Sequence, residues 1–99
     1  ALVEVHTLEE LSKASQIGAA IIGVNNRNLH SLEVSLDVSR QLIRERPAGS
    51  LMIAESGLST KDEIFELRNL GFDGFLIGET LMRAGDILST LKELRGAAA

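Results

Sequence analysis

The chain contains no cysteine, no tryptophan and no tyrosine, and has one proline and three phenylalanines. Without cysteine there is no disulfide framework and no thiolate nucleophile. Aromatics are few, and the ten Lys and Arg are interspersed among fourteen Asp and Glu without forming a basic stripe. Nucleic acid is therefore not an expected partner. No apolar run approaches the roughly 20 residues of a membrane span, and no charged leader precedes an apolar stretch. Neither a membrane partner nor a secretion signal is expected, which leaves the cytoplasm as the default setting. Two histidines, His6 and His30, stand far apart, which argues against a His-based metal site.

What is present is a repeated plan. The 99 residues carry a net charge of −4 and 44% apolar residues, ordinary for one globular domain over residues 1–99. Four apolar runs each end in a polar or glycine-rich turn and lead into an amphipathic segment. The runs are Leu2–Val5, Ala20–Val24, Leu51–Ala54 and Gly74–Ile77. Thr7 with Glu10, and Thr60 with Glu63, have capping-box spacing and predict helix starts. Leu8, Leu11, Ala14 and Ile17 follow helical periodicity up to Gly18. Ser35 or Asp37 opens a second helix with Leu36, Val38, Leu42 and Ile43, ended by Pro47 and Gly49. Ile64, Phe65, Leu67 and Leu70 mark a third, closed by Gly71. A short helical turn is expected over Thr80–Arg83, and a last helix over Ile87, Leu88, Leu91 and Leu94. The chain enters its first strand directly after Ala1, which reads as a cut at a structural boundary.

Strand–helix alternation predicts α/β architecture with parallel strands. A (β/α)8 barrel uses roughly 30 residues per unit, and these units are about 25 residues long. The competing doubly wound sheet carries a phosphate loop after its first strand. Here the first exit, His6-Thr7, has no glycine, whereas glycines follow the third and fourth strands. Barrels hold phosphate after strands seven and eight. The fold class expected is therefore a (βα)4 half of a TIM barrel, its last four units.

Period-two alternation puts Leu2 and Glu4 on one strand face, Ile21, Gly23 and Asn25 on another, then Leu51, Ile53 and Glu55, then Gly74, Leu76 and Gly78. If those faces line one interior, Glu4, Asn25, Glu55 and Gly78 meet at one rim. Glu4, between Val3 and Val5, is a candidate general acid or base in apolar surroundings, or else a strand residue on an exposed face. Glu55 contacts substrate or orients a lysine, or caps the following loop. Arg27 in Asn25-Asn26-Arg27-Asn28 has the fork to hold a carboxylate, or belongs to an ordinary turn. Ser56-Gly57 and Gly78-Glu79 can turn backbone N–H groups toward an anion, although Ser-Gly is also a common turn.

These segments resemble a known family. Leu2-Val3-Glu4-Val5-His6-Thr7, Ile22-Gly23-Val24-Asn25-Asn26-Arg27-Asn28-Leu29, Ala54-Glu55-Ser56-Gly57-Leu58 and Phe75-Leu76-Ile77-Gly78-Glu79-Thr80-Leu81-Met82-Arg83 look like indole-3-glycerol phosphate synthase, in order and at family spacing. The resemblance implies a (β/α)8 barrel of the tryptophan pathway. Such an enzyme closes the ring of a carboxyphenylamino deoxyribulose phosphate with loss of carbon dioxide and water, without metal or organic cofactor. It implies that Glu4, Asn25 and Glu55 belong to the catalytic set and that Asn25 and Arg27 handle the anthranilate end. Ser56, Gly57, Gly78 and Glu79 would surround the phosphate. The family's catalytic lysines lie on earlier strands, whereas Lys13, Lys61 and Lys92 fall on expected helices. The chain alone is then expected to be inactive or nearly so. Its expected partners are a phosphorylated small molecule and either the missing N-terminal half-barrel or a second copy in a homodimer. The alternative is an excised or designed half-barrel module that self-associates and has no enzymatic role.

Overall fold

Strands and helices alternate as the apolar runs and capping boxes require. The computed structural model describes residues 2–28, 30–58, 60–77 and 80–85. The order is β1 (Leu2–Val5), α1 (Leu8–Gln16), β2 (Ile21–Asn25), α2 (Asp37–Ile43), β3 (Leu51–Glu55), α3 (Lys61–Leu70), β4 (Gly74–Ile77) and β5 (Thr80–Arg83). Thr7 and Thr60 both close capping boxes, accepting from the backbone N–H of Glu10 and of Glu63. Gly71 ends α3 in the left-handed region, as a C-terminal glycine does. Asp37, not Ser35, opens α2; the Ser35 hydroxyl accepts from the Asp37 N–H at 3.2 Å. The expected last helix at Ile87, Leu88, Leu91 and Leu94 lies outside the described residues. None of the described helices is long and apolar enough to cross a membrane.

The sheet runs β1-β2-β3-β4-β5 in chain order, and β1 to β4 are parallel. A doubly wound sheet reverses its strand order and covers both faces with helices. Among the described residues this sheet does neither. Its buried core joins Val5, Ile22, Val24, Met52, Ala54 and Phe75 to Leu11 and Ala14 of α1, Leu42 and Ile43 of α2, and Ile64 and Leu67 of α3. All of those strand residues share one parity, so α1, α2 and α3 lie on one side. The result is a mostly parallel α/β sheet with alternating strands and helices, consistent with a partial TIM barrel.

The opposite face is largely open. Leu2, Leu51 and Leu81 are 43%, 51% and 63% exposed there, and Ile21 is half-buried. β2, an unbroken apolar run, is fully covered on the helix side at Ile22 and Val24 and only in part on the other at Ile21 and Asn25. Leu8, Ile17 and Leu70, read as helix-core positions, are also exposed. A sheet with helices on one side buries only the narrow stripe of each helix that touches it.

One expectation is overturned at the end of β4. Thr80–Arg83 is not a helical turn but an antiparallel strand, pairing Ile77 with Thr80, Leu76 with Leu81, Phe75 with Met82 and Gly74 with Arg83. Four residues gain little as a helix because nucleation is costly. Alongside β4 they satisfy an otherwise unpaired edge. The outermost strands are therefore β1 and β5, rather than β1 and β4.

Two tethers fix the amino end of the sheet, away from the candidate site. Asp73 accepts from the Met52 N–H and from Arg46 Nη2, both at 2.8 Å, and Arg46 also donates to the Gly71 carbonyl. Between the helices, Arg40 grips Glu66 through two bonds of 2.6 and 2.8 Å. Those bonds hold the Glu66 carboxyl below the usual carboxylate range.

Candidate functional site

The carboxyl ends of the parallel strands bring Glu4, Asn25 and Glu55 to one open face. The register decides this. Glu4 lies opposite Gly23, and Asn25 lies opposite Glu55, so the three side chains share a parity across β1, β2 and β3. β2 has no side chain at Gly23. The Glu55 arm leans back over that gap toward Glu4, close enough for the two carboxyls to hydrogen-bond.

Burial falls on Glu55 rather than Glu4. Glu4 is exposed despite its valine neighbours, because Val3 and Val5 point to the helix side. Glu55 is only 5% exposed. Desolvation, then the neighbouring Glu4 charge, then the hydrogen bond with Glu4 push its carboxyl up to about 7. No N–H or hydroxyl donor among the described residues reaches Glu55 Oε2. A hydrogen bond between two carboxyls needs a proton on one of them. Glu55, its carboxyl raised toward neutral pH, has the property required of a general acid or base.

The neighbouring turns are built by asparagines. Asn25 Oδ1 accepts from the Ser56 hydroxyl at 2.8 Å and from the Arg27 N–H at 3.0 Å, tying the exits of β2 and β3 together. Asn26 is fully buried on the opposite parity. Its Nδ2 donates to the carbonyls of Glu55 (2.8 Å) and Ser56 (3.1 Å), and its Oδ1 accepts from the Ser39 N–H (3.1 Å) and hydroxyl (2.7 Å). Asn26 therefore holds the Glu55-Ser56 backbone against α2. By sequence it is one of a run of polar turn residues, Asn25-Asn26-Arg27-Asn28. Strand parity was the signal: a polar residue on the helix side must find partners indoors.

Arg27 is exposed at the rim, its Nη1 reaching the Leu32 carbonyl at 3.5 Å. Together with Glu4, Val5, His6, Glu10 and Asn25 it lines a small hollow of 40 Å³. A second hollow of 240 Å³ lies beside it, lined by Glu55, Ser56, Gly57, Leu58, Leu76 and Ile77. A larger one of 390 Å³ near His6, Lys13 and His30 lies at the start of α1, where Glu10 closes the capping box and Glu9 pairs with Lys13.

Ser56 and Gly57 are both left-handed, with φ of 66° and 72°. A methyl on Gly57 would overlap Val34 Cγ1, so glycine is required there twice over. The α3 amino terminus is already occupied by its own Thr60–Glu63 capping box. An anion in the 240 Å³ hollow would meet the Ser56–Leu58 backbone rather than that helix end. Gly78 and Glu79, the other pair of expected phosphate contacts, lie outside the described residues, as does Lys92. Lys13 sits on α1 paired with Glu9, and Lys61 opens α3. Among the described residues no lysine lies on a strand, and no group of three or more His, Asp or Glu is placed to hold a metal.

The chain is similar to known proteins over nearly its whole length. The family model for indole-3-glycerol phosphate synthase matches residues 1–94. Similar proteins of that name include one from Lachnoclostridium phytofermentans, 50% identical over 95 residues and covering 96% of this chain and 35% of the relative. One from Albidiferax ferrireducens is 47% identical over 93 residues, covering 94% and 35%. One from Campylobacter jejuni is 48% identical over 94 residues, covering 95% and 36%. The chain thus spans little more than a third of the length of these relatives. A match that runs through every βα unit of the sheet and both ends of the carboxyl pair leaves one assignment: the chain belongs to the indole-3-glycerol phosphate synthase family.

Proposed function

We propose that this chain supplies the carboxylate and phosphate side of an indole-3-glycerol phosphate synthase active site, in tryptophan biosynthesis. The observation that carries the reading is the Glu4–Glu55 carboxyl pair at the carboxyl end of parallel strands, beside the left-handed Ser56-Gly57 turn. In this reading Glu4 and Glu55 move protons during ring closure, decarboxylation and dehydration of the carboxyphenylamino deoxyribulose phosphate. Asn25 and Arg27 face its anthranilate end. Backbone N–H groups of Ser56 and Gly57 receive its phosphate, with Gly78 and Glu79 completing that site. The described strands carry no lysine to act as general acid, a loss that typically costs about two to four orders of magnitude in rate.

The test is turnover of that substrate, followed by indole fluorescence against a chain with no tryptophan or tyrosine. The chain alone is expected to be silent. Adding a polypeptide that carries the remainder of a relative's barrel is expected to restore activity, and Glu4→Gln is expected to abolish it. Full activity of the chain by itself, or none after addition, would overturn the reading.

A second reading is favoured by the open face. Leu2, Leu51 and Leu81, exposed together on one side of the sheet, suit a half-barrel that pairs with another copy of itself. Light scattering across a dilution series separates the two: a dimer that persists on dilution supports self-association, and a monomer rules it out.

A further inference from the structure

Gly23 has no conformational reason to be glycine. The glycines in the left-handed region among the described residues are Gly18, Gly49, Gly57 and Gly71, and Gly23 is not one of them. What its position demands is space. It lies in register between Glu4 on β1 and Ile53 on β3, one pleat below Glu55. A methyl group there would overlap Glu55 Oε2, and would sit 3.1 Å from Glu55 Cδ and 3.3 Å from Leu2 Cδ1. The space a side chain would take is filled by the Glu55 carboxyl.

We propose that Gly23 is a positioning residue: its missing side chain lets the carboxyls of Glu4 and Glu55 meet across β2 and hold one proton between them. No N–H or hydroxyl donor among the described residues reaches the Glu55 oxygen lying over Gly23. Among the described residues no cation pairs with the Glu55 carboxyl, and the one charge acting on it is that of Glu4. On the β1 side, His6, Glu10 and Arg27 stand around Glu4. On the β4 side, Glu55 meets Leu76 and Ile77, which are apolar. Arg83 of β5 lies opposite Gly74, three strands from Gly23. The described helices α1, α2 and α3 pack on the other side of the sheet. Two carboxyls with one proton carry a single negative charge and act as one acid and one base together. That catalytic consequence rests on the proposed synthase reading; the shared proton does not.

The experiment is a carboxyl-carbon NMR titration of the 99-residue chain, labelled at glutamate. In the wild type one glutamate is expected to titrate well above the others. In Gly23→Ala, with the amide spectrum showing a folded chain, that midpoint is expected to fall by about one pH unit or more as the carboxyls are pushed apart. An unmoved midpoint would overturn the proposal. If Gly23→Ala does not fold, Gly23→Ala with Glu55→Ala decides. Recovery of the fold would show that the methyl collides with the Glu55 arm, and continued failure would mean that glycine is needed for another reason. Should Gly23→Ala shift the titration yet leave turnover intact in the complemented enzyme, the shared proton stands and the catalytic role assigned to the pair fails.

Discussion

Raising the pH from about 5 to about 8 is expected to destabilise this chain, with Glu55 as the cause. Burial and Glu4 raise its carboxyl from 4.5 to about 7 in the folded state. Below the lower value both folded and unfolded chains hold the proton, and the stabilising contribution is fully present. Between the two values only the folded chain holds it, so stability falls as pH rises. Above the upper value both have lost it and the penalty is constant. At about 1.4 kcal/mol per pH unit the full interval would correspond to about 3 kcal/mol. The site opens on one side to water, which screens the Glu4 charge, so about 1 to 2 kcal/mol is the expected loss. Urea unfolding followed by far-ultraviolet circular dichroism measures it directly. Glu55→Gln keeps the shape but cannot ionise, and the difference between the two proteins isolates Glu55 from every other titrating group. The Glu66 carboxyl, held down by Arg40, acts in the opposite sense: its contribution is lost as pH falls below the ordinary carboxylate range, outside this window. A wild type whose stability is flat across the interval, or a Glu55→Gln variant with the same slope, would refute the reasoning.

Two other outcomes follow from the turns. Asn26→Ala removes the four side-chain bonds that hold the Glu55-Ser56 backbone against α2 and leaves the buried Ser39 hydroxyl without its acceptor, so a loss of about 2 to 4 kcal/mol is expected in denaturant unfolding. Gly57→Ala places a side chain in the left-handed region against Val34, and is expected to cost about 1 to 3 kcal/mol and to weaken any retention of inorganic phosphate seen by phosphorus NMR.

Much of this was legible in the residues. Thr7 with Glu10 and Thr60 with Glu63 announce helix starts through local chemistry that tertiary context does not alter. Period-two parity places Glu4, Asn25 and Glu55 on one face because a one-residue slip would turn the core outward. What was not legible depended on distant neighbours. Thr80–Arg83 has no strong pattern of its own, and its conformation follows from the vacant edge of β4. Which carboxyl is sheltered could not be read from flanking valines, because those side chains point to the other face. Gly23 did carry a signal, since a glycine inside an apolar strand marks a close approach. What approaches it, the arm of Glu55, comes from a strand about thirty residues away.

The β4–β5 hairpin also makes the chain a competitor of its own growth. Any further parallel strand that sought the edge of β4 would find the ladder from Gly74 to Ile77 already taken by Thr80–Arg83. Joining there is then an exchange rather than an addition. An incoming strand must displace four residues before it can pair with β4 itself, so opening of the hairpin is a step on that route. Among the described residues no strand pairs with the outer edge of β1, so a strand joining on that side would displace none of them.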